Sequence, residues 1–335
     1  MSQQPISQLL ESIRTSTHAD DDVQKHSYHG FSDSEKERLR QRDYRPYQGK
    51  VRELVRQGSN LYIYHTDRLS AFDCYVGMVP YKGSILAKIS EFWLREAAKT
   101  LDTHLLSMPH ERVLKCEALE PIKAEVIVRG YMAGSMMRAY EKGEREFCGA
   151  RLPEGLKPYG PLPQLLITPT TKAEVYEHDE NASPDQLIQS GVCTREEWDQ
   201  IAHTSIKLFQ LGQKIYRDRG WILVDTKYEF GRDRSGKIKV IDEIHTPDSS
   251  RLWVGATYEQ RLAEGKAPDM LDKENVRRWL MDHDFSGQGP VPKVPAAVLV
   301  DLAKVYLGVA EKLIGAPVMS EGPLKESPCL DLFLK

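Results

Sequence analysis

A chain of 335 residues, 40% of them apolar, can bury a sizeable core and is long enough for two domains. Its 46 basic and 49 acidic residues are interspersed and leave a formal charge of -3, so neither nucleic acid nor an anionic membrane is expected as a partner. Five cysteines, at 74, 116, 148, 193 and 329, are odd in number and lack CxxC spacing, which argues against a disulfide framework or a zinc cluster. There is neither a basic, apolar leader nor a run approaching roughly 18 apolar residues, so secretion and membrane spanning are disfavoured and a cytoplasmic location is expected.

Residues 1–43 are polar, carry Asp20-Asp21-Asp22, and read as an N-terminal extension in which the charged run Ser34 to Arg42 forms one solvated helix. Over 44–124 the pattern is that of an N-terminal β-rich lobe, with VRELV and LYIYHT as strands joined through Gln57-Gly58-Ser59. Ser84 is placed to cap a helix reaching Lys99, on which Ile85, Ile89, Phe92, Trp93 and Ala97 recur at helical spacing. A C-terminal lobe is expected over 125–315, opening with the strand EVIVR and a turn at Gly130 into a helix. Five prolines and three glycines between Gly149 and Pro169 make 149–185 read as one long loop. Thr194 with Glu197 forms a capping box for a long helix closed by Gly220. Amphipathic helices follow at 272–283 and 296–314, and the tail, 316–335, ends in the apolar LDLFLK.

The segment 222–246, ILVDTKYEFGRDRSGKIKVIDEIHT, has the form of a β-hairpin. Side chains alternate along a strand, so Asp225, Lys227 and Glu229 share one face. With a two-residue turn at Ser235-Gly236, Glu229 faces Asp242. Two carboxylates directly opposite repel unless something neutralises them, and a hard divalent cation shared with nucleotide phosphates does so. An exposed sheet face bridged by Lys227 is the competing reading. A bulge near Gly231 would change the pairing.

Other candidates are weaker one by one. Gly49, Lys50 and Arg52 put close backbone approach beside two cations, as phosphate binding needs, but a solvated edge strand has the same composition. Arg129 with Gly130, Ala133, Gly134 and Ser135 places a cation and a hydroxyl at a helix start, a setting for phosphate or carboxylate. Arg251 follows the hairpin closely and offers a second anion contact, or stands in a plain turn. Asp67, Ser70 and Asp73 end a strand, where they serve a site or form a turn, and Lys172, His178 and Asp179 lie in the long loop, where they reach over a nucleotide, bind an anionic substrate or remain solvated. GxSxG, HExxH and GxGxxG are all absent, so serine hydrolysis, zinc hydrolysis and Rossmann dinucleotide binding lack their usual signatures.

Taken together, LVDTKYEFG at 223–231, EVIVRGYMAGS at 125–135, QGKVREL, TDRLSAFD, TPTTKAEVYEHDEN and DEIHTPDSSRLW occur in an order that resembles the phosphoribosylaminoimidazole-succinocarboxamide synthase (SAICAR synthetase) family in its longer, yeast-like form. The likeness spans about 45 to 312 and departs from the family pattern at Lys123-Ala124. It implies an α+β, two-lobed, ATP-grasp-like fold of antiparallel sheets with flanking helices and ATP in the interlobe cleft. It also implies ligation of L-aspartate to carboxyaminoimidazole ribonucleotide (CAIR) at the expense of ATP. By the same resemblance Gly49, Lys50, Arg52 and Lys227 attend the nucleotide, and Glu229 and Asp242 hold Mg2+. Arg129, Ser135 and Arg251 hold the ribonucleotide phosphate, and Asp225 orients substrate or metal-bound water. Lys172, His178 and Asp179 close over the reactants, and Ser70 and Asp73 join the substrate set. A kinase-like phosphotransferase on a small phosphorylated substrate and a non-catalytic nucleotide-binding regulator are the alternatives. A monomer and a homodimer are equally compatible with the sequence.

Overall fold

A computed structural model describes residues 5–172, 180–317 and 332–333. It begins with helices α1 (Ile6–Thr15), α2 (Ala19–Lys25) and α3 (Asp33–Arg40), then strands β1 (Arg45–Gln48), β2 (Arg52–Gln57), β3 (Asn60–His65), β4 (Arg68–Ala71) and β5 (Cys74–Met78). Helix α4 (Lys82–Ala97) precedes β6 (Leu105–His110), β7 (Val113–Glu117), β8 (Glu120–Pro121) and β9 (Ala124–Tyr131). Next come α5 (Gly134–Glu141), β10 (Glu146–Phe147), β11 (Ala150–Arg151) and β12 (Pro161–Thr171), followed by α6 (Pro184–Gln189) and α7 (Arg195–Arg217). The last elements are β13 (Trp221–Arg232), β14 (Ile238–Ile241), β15 (Ser250–Val254), α8 (Gly255–Ala263), α9 (Glu274–Met281) and α10 (Ala296–Ile314). All pairings between these strands are antiparallel, as expected for an α+β chain. Among the described residues no helix is long and apolar enough to cross a membrane.

Contacts divide the chain into two compact units, one of Met1–Phe92, Leu105–Ala118 and Asp272–Lys335, the other of Trp93–His104 and Leu119–Leu271. These bounds differ from the lobes drawn at 44–124 and 125–315. Residues 272–317 join the first unit because α10 packs on α1, whose Ile6, Leu10 and Ile13 are buried. Ion pairs reinforce that contact, Arg14 with Asp301 at 2.7 Å and Glu11 with Lys304. The helix expected over Ser34 to Arg42 is α3, and two further helices, α1 and α2, precede it. At the other end, Phe333 is buried against Tyr44 and Tyr62.

In the first unit the sheet order is β1-β2-β3-β7-β6. Gly58, with φ 58°, closes the β2–β3 hairpin where Gln57 pairs Asn60. Asp67 and Arg112 are both fully buried, and a buried charge survives only when paired and hydrogen-bonded. Arg112 donates to both Asp67 oxygens at 2.9 and 3.2 Å, and the backbone N–H groups of Tyr28 and Gly83 donate to them at 2.7 Å each. Asp67 therefore binds the first turn of α4 from a distant strand end. That is the physical reason the helix begins before Ser84, whose hydroxyl is buried without a partner.

In the second unit β13 is the organising strand, paired with β9 and β8 along one edge and β15 and β14 along the other. The expected loop 149–185 in fact contains β12, an 11-residue strand paired to β9. Proline cannot donate to a ladder, but β12 lies at the sheet edge, where a missing N–H costs little. Helix α7 carries the expected Thr194–Glu197 capping box and approaches the sheet at Gly212, where a Cβ would stand 2.7 Å from Leu223 and 2.8 Å from the His245 ring.

His245 is buried, its Nε2 2.6 Å from the Tyr228 hydroxyl and its ring edge-on to Trp93. Burial disfavours the imidazolium and lowers its pKa from 6.5 to about 3. Because the folded pKa is depressed, its contribution to stability is present above pH 6.5 and is lost as pH falls toward 3, by roughly 5 kcal/mol in all. Denaturant titrations from pH 7 to pH 4 should show a shallower loss of stability in His245→Gln than in the parent chain, and equal slopes would remove His245 as the cause.

Candidate functional site

The polar row on β13 divides into a cation-facing and an anion-facing cluster. In the first, the Lys227 ammonium lies 2.5 Å from Glu229 Oε1, 2.9 Å from Glu125 Oε1 and 3.8 Å from Asp242 Oδ2. Burial alone would lower the lysine's pKa, but the fields of Glu125, Glu229 and Asp242 outweigh it and hold it well above its usual value. Burial likewise pushes the Glu229 carboxyl up while Asp242 repels its charge, yet Lys227 and Lys172 keep it below the ordinary carboxylate range. Lys172 donates to the remaining Glu229 oxygen, Oε2. Three carboxylates thus face two ammonium groups, and the Glu229 side chain is only 6% exposed.

The hairpin reaches this arrangement by a register other than the expected one. Glu229 pairs with Ile241 rather than Asp242. The loop is one residue longer because Asp233 Oδ1 accepts from Ser235 N at 2.9 Å and Lys237 N at 3.0 Å, while Gly236 takes φ 86°. Slipping by one would send Asp242 to the other face. It returns because it lies just beyond β14 with φ 62°, a left-handed kink that aims its carboxylate back at Lys227.

The second cluster surrounds Asp225. Arg129 donates to Asp225 Oδ2 at 3.1 Å, and Arg251 donates to Oδ1 at 3.2 Å and Oδ2 at 2.9 Å. Arg129 also donates to Thr168 Oγ1 at 2.8 Å and reaches Ser135 Oγ at 3.4 Å. Burial lowers the Arg129 pKa, opposed by the Asp225 charge and reinforced by Arg251. At the start of α5, Gly134 has φ 61°, a Cβ there would lie 2.6 Å from Arg251 Nη2, and no side chain caps the helix at Ala133. Two guanidinium groups, a hydroxyl and a helix N-terminus make a cradle for a dianion.

In the first unit the segment from Gly49 to Arg52 turns between β1 and β2, with Gly49 N donating to Arg52 O at 2.8 Å. Arg68 holds it from beneath, donating to the carbonyls of Gly49 at 3.0 Å, Lys50 at 3.2 Å and Arg52 at 3.3 Å, and to Glu53 at 2.7 Å. Lys50 ion-pairs with Asp73 at 2.8 Å in the β4–β5 turn, and Ser70 is half-buried on β4. His178 and Asp179 lie outside the described residues.

Sequence reasoning missed Glu125, Thr168 and Arg68. Glu125 was within reach, since it is four residues from Arg129 on one strand and so shares its face. Thr168 was hidden in the presumed loop. Arg68 acts through distant backbone carbonyls, for which its neighbours in sequence give no sign.

Three hard oxygen donors, the carboxylates of Glu125, Glu229 and Asp242, converge here, and such donors suit a hard divalent cation. No group of three or more His, Cys, Asp or Glu side chains is placed to hold a metal among the described residues.

The SAICAR synthetase family model matches residues 45–293. The chain is 41% identical over 275 residues to a putative phosphoribosylaminoimidazole-succinocarboxamide synthase 2 of Mesorhizobium japonicum, covering 80% of this chain and 88% of that one. It is 40% identical over 274 residues to the phosphoribosylaminoimidazole-succinocarboxamide synthase of Legionella pneumophila, covering 80% and 87%. Among solved structures, SAICAR synthase from Saccharomyces cerevisiae complexed with SAICAR superposes with a TM-score of 0.70 at 31% identity, covering 81% of this chain and 94% of that one. Family match, identity and fold agree, and the chain belongs to the SAICAR synthetase family.

Proposed function

We propose that Glu229 and Asp242 hold the Mg2+ of Mg-ATP, that Lys227 meets the nucleotide phosphates, and that Arg129, Ser135 and Arg251 hold the phosphate of CAIR. The reaction is the ATP-dependent ligation of L-aspartate to the CAIR carboxylate, giving SAICAR, ADP and phosphate in purine biosynthesis. The observation that carries the residue assignment is the convergence of the Glu125, Glu229 and Asp242 carboxylates on Lys227, which gathers hard oxygen donors at one place. Gly49, Lys50 and Arg52 are assigned to nucleotide phosphate, and Ser70, Asp73, His178 and Asp179 to substrate, on family resemblance alone.

A carboxylate is a poor acyl donor because its leaving oxygen is bad. Transfer of the γ-phosphoryl group to a CAIR carboxylate oxygen makes an acyl phosphate, which the aspartate amine attacks as phosphate leaves. No protein nucleophile is required, so the chain's task is positioning and charge stabilisation. Lys227 keeps a full positive charge, since its pKa is held high, and presents it to phosphate oxygens. Bound Mg2+ supplies neutralisation of phosphate charge. Asp225 acts indirectly, as a clamp that sets the spacing of the Arg129 and Arg251 guanidinium groups.

The direct test is ADP release with ATP, CAIR and L-aspartate, each omitted in turn. Turnover should need all three, whereas undiminished ADP release without aspartate would favour a phosphotransferase. Glu229→Gln and Asp242→Asn should each lower kcat/KM on the order of 10³-fold with an unchanged circular dichroism spectrum, and near-parent rates would remove the metal assignment. Arg129→Ala should instead raise KM for CAIR by about 10- to 100-fold. Gly134→Ala should shift the same constant in the same direction by forcing Arg251 aside, and an unaltered KM in both variants would move the phosphate cradle elsewhere.

A further inference from the structure

Glu229 is held by two lysines, one on each oxygen, and the two are not equivalent. Lys227 comes from the same strand and is shared with Glu125 and Asp242. Lys172 comes from the residue just after β12, and among the described residues its ammonium meets the Glu229 side chain. Its side chain is 37% exposed against 24% for Lys227, so of the two it is the one with a path from Glu229 to water. The Glu229 side chain has no such freedom, because an unpaired buried carboxylate is expensive.

We propose that Lys172 is a placeholder cation, seated on the Glu229 oxygen that a divalent cation would take, so that Lys172 and the cation compete for it. The inference rests on the assignment of Glu229 to the metal and adds a specificity device to it. A free divalent ion must displace a charge already in place, and its gain is reduced accordingly. A cation arriving with a nucleotide brings phosphate oxygens that can receive the displaced ammonium, so the pair favours the cation–nucleotide complex over the bare ion. By linkage, whatever draws Lys172 away from Glu229 strengthens cation binding by the same factor.

Mn2+ titration followed by electron paramagnetic resonance, without nucleotide, tests this in the full chain. Lys172→Met should bind Mn2+ at least about tenfold more tightly than the parent, since a unit charge a few ångströms away is worth that or more even in a partly screened site. Lys172→Arg should stay near the parent. Lys266→Met, which removes an exposed lysine paired with Glu264, should also stay near the parent, separating displacement at the site from a general loss of positive charge. Glu229→Gln should lose Mn2+. Parent-like or weaker Mn2+ binding in Lys172→Met, with the Glu229→Gln loss intact, overturns the placeholder role, as does an equal gain in Lys266→Met. Retention of Mn2+ by Glu229→Gln instead overturns the metal assignment beneath it.

Discussion

The second unit is built around one electrostatic constraint, an ammonium group ringed by three carboxylates on a largely buried strand. Lys227, Glu125, Glu229 and Asp242 come from two strands and a kink, and each would be costly to bury alone. Their mutual satisfaction requires β13 to keep one register with β9 while its far half pairs with β14. This explains why the strand is 12 residues long and supported along both edges. A flexible strand could not hold like charges this close together.

The same strand separates two chemical duties. Asp225 and Lys227 are two residues apart, hence about 7 Å along the strand. The former organises a pair of guanidinium groups that suit a phosphate dianion, and the latter organises carboxylates that suit a cation. Under the proposed assignment, binding energy gathered at the Arg129–Arg251 pair would position a reacting carboxyl group without disturbing the charge balance around Lys227. Asp225 joins the two guanidinium groups that would otherwise repel, so their spacing is set before a ligand arrives.

Much of this was legible in the residues. Period-two alternation placed 225, 227 and 229 on one face, the Thr194–Glu197 box announced α7, and ordered motifs pointed to the family. What could not be read depends on long-range or side-chain geometry. The hairpin register turned on Asp233 bonding to its own loop, which a composition of Ser and Gly does not reveal. The edge position that lets β12 tolerate its prolines is a property of the finished sheet. The Asp67 bond to α4 and the Arg68 bonds beneath the Gly49 turn join segments that local patterns treat separately. The left-handed kink at Asp242, rather than the strand register, brings its carboxylate to Lys227 beside Glu229, and no local pattern of residues announces that kink.

The most direct measurement is the location of the cation itself. In crystals grown with Mn2+ and ADP, an anomalous difference map should place the ion between the carboxylates of Glu229 and Asp242, with Lys172 no longer on Glu229. An ion found elsewhere, with Glu229 and Asp242 still turned only toward Lys227, would contradict the account.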